Sequence, residues 1–123
     1  MSQPEDNKTI VLNLYKCISG QYKNRESISK FTTDTHLIDH ILYFESFVPS
    51  FSILIDEVIA EGPKVCVKVR YIGIQKGKIN GNEPTFKEIE FPLVIGFQIS
   101  SGKIMDHWII GDQISLLKQL NMV

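Results

Sequence analysis

The sequence predicts an α+β fold in which helices come first, four antiparallel strands follow, and one short helix ends the chain. Two hydrophobic periods support this order. From Asn7 to Gly20, apolar residues recur every three or four positions, which is typical of an amphipathic helix. After Pro49 they alternate with a period of two. Helices that cover one face of a strongly curved sheet would enclose a cone-shaped cavity.

The N-terminal helices are predicted from their apolar faces and their end signals. The first has Asp6 or Asn7 as its N-cap and stops at Gly20. A second, shorter helix is expected over residues 25–30. Residues 35–47 combine a helical spacing of apolar side chains with breakers that follow closely. For this segment we predict only a helical turn or an irregular stretch.

Four strands are predicted in the second half of the chain, over residues 51–60, 65–74, 88–99 and 103–111. A short terminal helix over residues 113–120 follows them. Alternation predicts which side chains of the two middle strands face the core. These are Val65, Val67, Val69 and Tyr71 on one strand, and Ile89, Phe91, Leu93, Ile95, Phe97 and Ile99 on the next.

Composition excludes several classes of partner. The chain of 123 residues has 13 basic and 14 acidic side chains without long runs of either, which argues against nucleic acid and anionic membranes as partners. Its polar start and the lack of a long apolar run predict a soluble, cytoplasmic protein. Cys17 and Cys66 are too few for a disulfide framework and lie in no zinc or redox spacing. We expect neither a metal nor a cofactor.

The segment KIMDHWIIGD, residues 103–112, is the most informative stretch for function. It reads as an alternating strand that carries an indole and ends in a carboxylate. Trp108 and Asp112 share one face of this strand, so together they could form a pocket wall with Asp112 as an acid/base group. Asp112 also precedes the last helix, where an aspartate is a common N-cap. The residues alone leave both roles open.

Three stretches also carry a family resemblance: IDEVIAEGPKV, VRYIGIQKGKINGNEPTFKEIEF and SGKIMDHWIIGDQISLLKQL. They resemble the SnoaL-like polyketide cyclase (ester cyclase) branch of the nuclear-transport-factor-2-like superfamily. The resemblance covers most of the chain and implies a single domain, residues 1–123, with the cone-shaped cystatin-like fold. It also implies a ring-closing aldol reaction without metal or cofactor, with Asp112 at the position of the acid/base aspartate.

The resemblance implies further substrate-binding residues. His40, His107 and Trp108 match positions that line or border the cavity. Tyr15 matches an aromatic position on the first helix, where its hydroxyl could donate to a developing enolate oxygen. Each has a structural alternative: Trp108 and Tyr15 as packing residues, His40 in a local hydrogen bond. By regular alternation His107 would face away from Trp108, towards a dimer surface, unless a bulge reverses it.

Departures from the family pattern set further expectations. Gly73-Ile74-Gln75 replaces a common Gly-Thr-His, which removes a polar contact to substrate. Phe86 replaces the glycine of a Pro-Thr-Gly sequence, where the backbone needs freedom. We also expect that three phenylalanines, Phe44, Phe47 and Phe51, fill part of the cavity.

Two classes of function follow. The first is a cofactor-independent cyclase, isomerase or lyase that acts on a small apolar carbonyl compound. The second is a non-catalytic ligand-binding or assembly domain. In both, the outer sheet face is expected to form a homodimer, through a mixed set of residues: Cys66, Lys68, Arg70, Val94 and Gln98.

Overall fold

A computed structural model describes residues 3–122 and confirms the predicted α+β fold. The N-terminal helices are α1 (Gln3–Ile18), α2 (Arg25–Ser29) and α3 (Thr35–Phe47). The strands β1 (Ser52–Glu61), β2 (Lys64–Ile74), β3 (Glu88–Ser100) and β4 (Lys103–Gly111) follow, and α4 (Gln113–Gln119) ends the fold. Within the described residues, no helix combines the length and apolarity that a membrane crossing requires.

The four strands form one antiparallel sheet in the order β1-β2-β3-β4. Each strand therefore pairs with the next one along the chain, and β4 lies at an edge. The ten core residues predicted on β2 and β3 are all buried, with at most 4% of their surface exposed. The helices pack on this face, which we call the inner face; the opposite one is the outer face.

The prediction for residues 35–47 is wrong, because this segment forms a complete helix of 13 residues. Asp34 starts the helix: its Oδ1 accepts hydrogen bonds from the backbone N of His36 at 3.0 Å and of Leu37 at 3.2 Å. These bonds satisfy amides that a helix start otherwise leaves without partners. Pro49 comes after the last helical residue, so it limits the helix without breaking it.

An aromatic cluster fills the interior between α3 and the sheet. The ring of Phe44 lies 4.8 Å from Phe47, 4.9 Å from Phe51, 5.1 Å from Tyr71 and 5.5 Å from Phe91, measured between centroids. All five side chains are buried. This confirms the expectation that Phe44, Phe47 and Phe51 occupy interior space. Burial of each large apolar side chain contributes roughly 1.5–3 kcal/mol, so the cluster anchors α3 on the inner face.

The connection between β2 and β3 is organised by the glutamine that departs from the family pattern. Gln75 is fully buried, its Oε1 accepts from the backbone N of Thr85 at 2.6 Å, and its Nε2 donates to the carbonyl of Gly77. Both polar atoms of the Gln75 amide are therefore bonded to the backbone of the loop between β2 and β3. Phe86 has a φ of +58°, a left-handed conformation that favours glycine. The missing family glycine at this position correctly indicated an unusual backbone conformation.

Candidate functional site

A β-bulge in β4 determines which side chains face the interior. Ile104 points inward and is fully buried. It pairs with Ile99, whereas Asp106 pairs with Gln98, so Met105 is an extra residue on the β4 side. An extra residue reverses the alternation of everything that follows it. His107 therefore turns to the inner face and Trp108 to the outer face.

His107 meets the start of α3 on the inner face. Its Nδ1 lies 2.5 Å from Oδ2 of Asp34, and the two side chains are only 11% and 6% exposed. Burial alone would raise the pKa of Asp34. The hydrogen bond from His107, the two amides at the start of α3 and the charge of His107 outweigh burial, so the pKa falls below the usual 3.8. Asp34 is thus a carboxylate near neutral pH.

A threonine fixes this pair to the edge strand. The hydroxyl of Thr32 donates to the carbonyl of Ile104 at 2.7 Å and accepts from the backbone N of Asp34 at 2.9 Å. The backbone N of Thr33 also donates to the same carbonyl, at 3.0 Å. The loop before α3 is therefore joined to β4 directly beside the bulge.

His40 lies one and a half turns into α3. It is close enough to His107 for a positive charge on the His107 ring to disfavour protonation of His40. Burial first, and His107 second, lower the pKa of His40 from 6.5 to about 4. Its Nε2 is buried and has no hydrogen-bond partner within residues 3–122. His40 is thus a neutral imidazole near neutral pH, with one ring nitrogen unpaired.

Tyr15 approaches the same region from α1. It is 2% exposed, and its ring meets Phe97 edge-on with centroids 6.2 Å apart. Phe97 is the cross-strand partner of His107. Burial and the neighbouring Tyr71 raise the pKa of Tyr15 well above 10.0, so its hydroxyl remains a donor. This hydroxyl also lacks a hydrogen-bond partner among the described residues.

The inner face thus carries Tyr15, His40 and His107 and, in contact with His107, Asp34, which sequence reasoning missed. The pattern around Asp34 resembles a helix N-cap, and that signal could have indicated the start of α3. No sequence signal connects Asp34 with a histidine 73 residues further along the chain. Their contact depends on the tertiary fold.

The expectation that Trp108 lines the inner cavity is wrong in position, because the bulge turns it outward. Its side chain is 52% exposed and lies over Gly96, its cross-strand partner. A Cβ atom at Gly96 would come within 2.1 Å of the indole, so glycine is what lets the ring approach the strand this closely. Trp108 borders an outer groove of about 660 Å³, which Ile59 and Cys66 also line.

Comparison with known proteins identifies the family. The sequence profile described as SnoaL-like polyketide cyclase matches residues 33–120, more than two thirds of the chain. The chain belongs to this family. No curated protein matches the sequence of this SnoaL-like chain.

Solved structures of other proteins share the fold of this SnoaL-like chain. AclR from Streptomyces galilaeus, a proposed hydroxylase, is 16% identical with a TM-score of 0.86, over 98% of this chain and 84% of AclR. A proposed SnoaL-like polyketide cyclase from Jannaschia sp. CCS1 is 18% identical with a TM-score of 0.84, over 100% of this chain and 97% of that one. A SnoaL-like polyketide cyclase from Agrobacterium tumefaciens is 13% identical with a TM-score of 0.75, over 98% and 99%. At these identities the likeness establishes the fold.

Asp112, the residue that the resemblance assigns to the acid/base position, is exposed and caps α4. Its Oδ1 accepts from the backbone N of Ser115 at 2.9 Å. It lies beside Ile110 and Lys68 along a second outer groove of about 430 Å³. Trp108 and Asp112 do share a face, as the sequence indicated, but it is the outer face. The N-cap role is present in the structure, and the acid/base role stays a prediction.

One group of donors in this SnoaL-like fold has the spacing of a metal site. The donor atoms of Asp34, Asp106 and His107 lie within 4.8 Å of one another. Each carboxylate already accepts from a backbone amide, Asp34 at α3 and Asp106 from the N of His107 at 2.9 Å. The hydrogen bond between Asp34 and His107 accounts for the short distance between two of the three donors.

Proposed function

We propose that the protein catalyses cofactor-independent acid/base chemistry on a small, largely apolar carbonyl compound, as a cyclase, isomerase or lyase. One observation carries this proposal: the hydroxyl of Tyr15 and Nε2 of His40 are buried without hydrogen-bond partners among the described residues. Most buried polar groups in proteins are hydrogen-bonded, and exceptions often have a functional reason. A carbonyl oxygen of a bound compound would supply the missing partner.

The surroundings of these two groups support an apolar substrate that carries few polar atoms. The raised pKa of Tyr15 keeps its hydroxyl protonated, and the lowered pKa of His40 keeps its ring neutral. Neither group would place a charge against the compound before reaction. A hydroxyl donor in a buried site stabilises the negative charge that develops on an enolate oxygen.

Asp112 is one candidate for the acid/base group, through the family resemblance, and its side chain lies on the outer face. An asparagine at this position would keep the N-cap, because asparagine and aspartate cap helices about equally well. Asp112→Asn therefore removes proton transfer while it keeps the hydrogen bond to Ser115. A loss of activity in this variant, with unchanged stability, would support the predicted role.

The test uses hydrogen–deuterium exchange alpha to the carbonyl of β-tetralone, a bicyclic apolar ketone, followed by NMR in deuterated buffer. We expect the wild type to accelerate exchange. Tyr15→Phe should slow it by about 10²–10³-fold, the usual effect of removing an oxyanion donor. Tyr43→Phe is the matched control, since Tyr43 is 58% exposed. A wild type that exchanges no faster than buffer would contradict the proposal.

A second candidate function, assembly through the outer face, is favoured by the apolar side chains exposed there. Ile59 is 61% exposed, Trp108 52% and Ile110 68%. Burial of exposed apolar surface is the main driving force of association, so we propose a homodimer through this face. Sedimentation should give a dimer that Trp108→Glu dissociates. A wild-type monomer would exclude this assembly.

The proposal also includes a cytoplasmic location. Cys17 and Cys66 are both free, as expected for a reducing compartment. Fractionation of cells that produce the tagged protein would test it.

A further inference from the structure

Asp34 and His107 are arranged as a proton-transfer group and the carboxylate that orients it. We propose that His107 is the acid/base residue of the inner site and that Asp34 is its positioning residue. This inference rests on the proposed function and assigns its acid/base role to His107 instead of Asp112, because Asp112 lies on the outer face. It assigns that role to the inner face, where the unpaired groups of Tyr15 and His40 lie.

The hydrogen bonds of Asp34 fix the tautomer of His107. Oδ1 of the carboxylate accepts from the two amides at the start of α3, and Oδ2 faces Nδ1 of His107 at 2.5 Å. A carboxylate has no proton to donate, so Nδ1 must carry the hydrogen of this bond. The lone pair of the neutral ring is then on Nε2, which makes Nε2 the basic atom.

The pair is held in place from both sides. Asp34 belongs to the cap of a 13-residue helix, and Thr32 joins that cap to Ile104 on the strand that carries His107. Such support keeps the ring at one angle without a change of conformation during reaction. The side chain of His107 is 11% exposed, so it is shielded from bulk water but not sealed.

The reaction step conserves atoms and charge. Nε2 of His107 takes a proton from the carbon alpha to the carbonyl, and the electrons of that C–H bond form the enolate. The hydroxyl of Tyr15 donates to the enolate oxygen, while Asp34 stabilises the imidazolium. In a cyclisation, the enolate carbon bonds to a second carbonyl carbon of the same molecule. The new alkoxide then takes the proton back from Nε2, which restores neutral His107.

Asp34→Asn tests the positioning role with little change to the cap. The single oxygen of asparagine would accept from the two α3 amides, so its NH₂ group would face His107. The ring would then accept at Nδ1 and carry its proton on Nε2, which removes the basic lone pair. The same substitution in the Ser-His-Asp triad lowers kcat about 10⁴-fold through the wrong tautomer. The matched control is Asp39→Asn, an exposed carboxylate on α3 that pairs with Arg25 at the surface.

The experiment measures β-tetralone exchange together with heteronuclear NMR of the histidine ring nitrogens. We expect His107→Gln to lower exchange about 10²–10⁴-fold, the usual contribution of an acid/base group. Asp34→Asn should lower it at least tenfold and move the proton of His107 from Nδ1 to Nε2, whereas Asp39→Asn changes neither. A purely structural role for Asp34 would leave the tautomer unchanged.

The possible failures are distinguishable. Exchange by the wild type that persists in His107→Gln overturns the assignment of His107 and leaves the proposed function intact. Exchange that stops in His107→Gln but continues in Asp34→Asn overturns the role of Asp34 alone. A wild type without exchange activity overturns the proposed function and the pair's catalytic role together.

Discussion

Each face of the sheet carries side chains that depart from the usual rule of apolar residues inside and polar residues outside, and the departures differ. On the inner face, titratable side chains such as Asp34, His40 and His107 lie within or beside the core. On the outer face, Trp108 and Ile110 are largely exposed. Buried polar groups and exposed apolar patches are the informative departures in a folded chain. This difference supports the proposed chemistry on the inner face and the proposed assembly through the outer face.

The largest expected effect is on stability. Phe44→Ala should lower the free energy of unfolding by about 3–5 kcal/mol, because it removes a ring from the centre of the aromatic cluster. Ile110→Ala, the control on the outer face, should cost less than about 1 kcal/mol. Urea unfolding measures both. Equal losses would contradict this prediction, because they would mean that the outer face is covered as fully as the core.

The second prediction concerns pH and the inner face. The folded state holds His40 neutral, with a pKa of about 4 against 6.5. Between these values the unfolded chain binds more protons, so stability should fall as pH drops from 6.5 towards 4, by up to about 3 kcal/mol. His40→Gln should remove this contribution. His36→Gln is the control, because His36 is exposed on the same helix. Parallel pH profiles for wild type and His40→Gln would contradict the prediction.

The smallest effect is expected on the outer face. Gly96→Ala should displace the indole of Trp108, because the added Cβ would lie 2.1–2.4 Å from its atoms. Overpacking of this kind costs about 1–3 kcal/mol. Trp108 is the only tryptophan, so its fluorescence reports the displacement directly.

A double-mutant cycle controls for other effects of the alanine. In a Trp108→Ala background, Gly96→Ala should lose most of its cost, because the clash partner is absent. Additive effects would mean that the strand itself requires glycine.

The fold was predictable from sequence because hydrophobic period determines which residues can share a buried face. The alternation on β2 and β3 correctly identified their core residues. Local signals were weaker at α3, where breakers near Pro49 concealed a helix that Asp34 starts. A cap contributes through a single side chain, so a periodic pattern does not reveal it.

The candidate site was only partly predictable. Tyr15, His40 and His107 were identified through a resemblance, and the structure brings them to the inner face. Trp108 was placed at the cavity through the resemblance, whereas the bulge after Ile104 turns it to the outer face. The contact of His107 with Asp34 joins residues far apart in sequence, and neither composition nor spacing encodes it.

The bulge at Met105 makes the register of an edge strand a determinant of chemistry. Without the bulge, the same sequence would pair Met105 with Gln98 and Asp106 with Phe97, which would turn Trp108 inward and His107 outward. No side chain would change in identity, yet the carboxylate of Asp106 would take the place of the imidazole opposite Phe97. Relatives whose edge strand lacks the bulge should therefore place a different set of groups on the inner face.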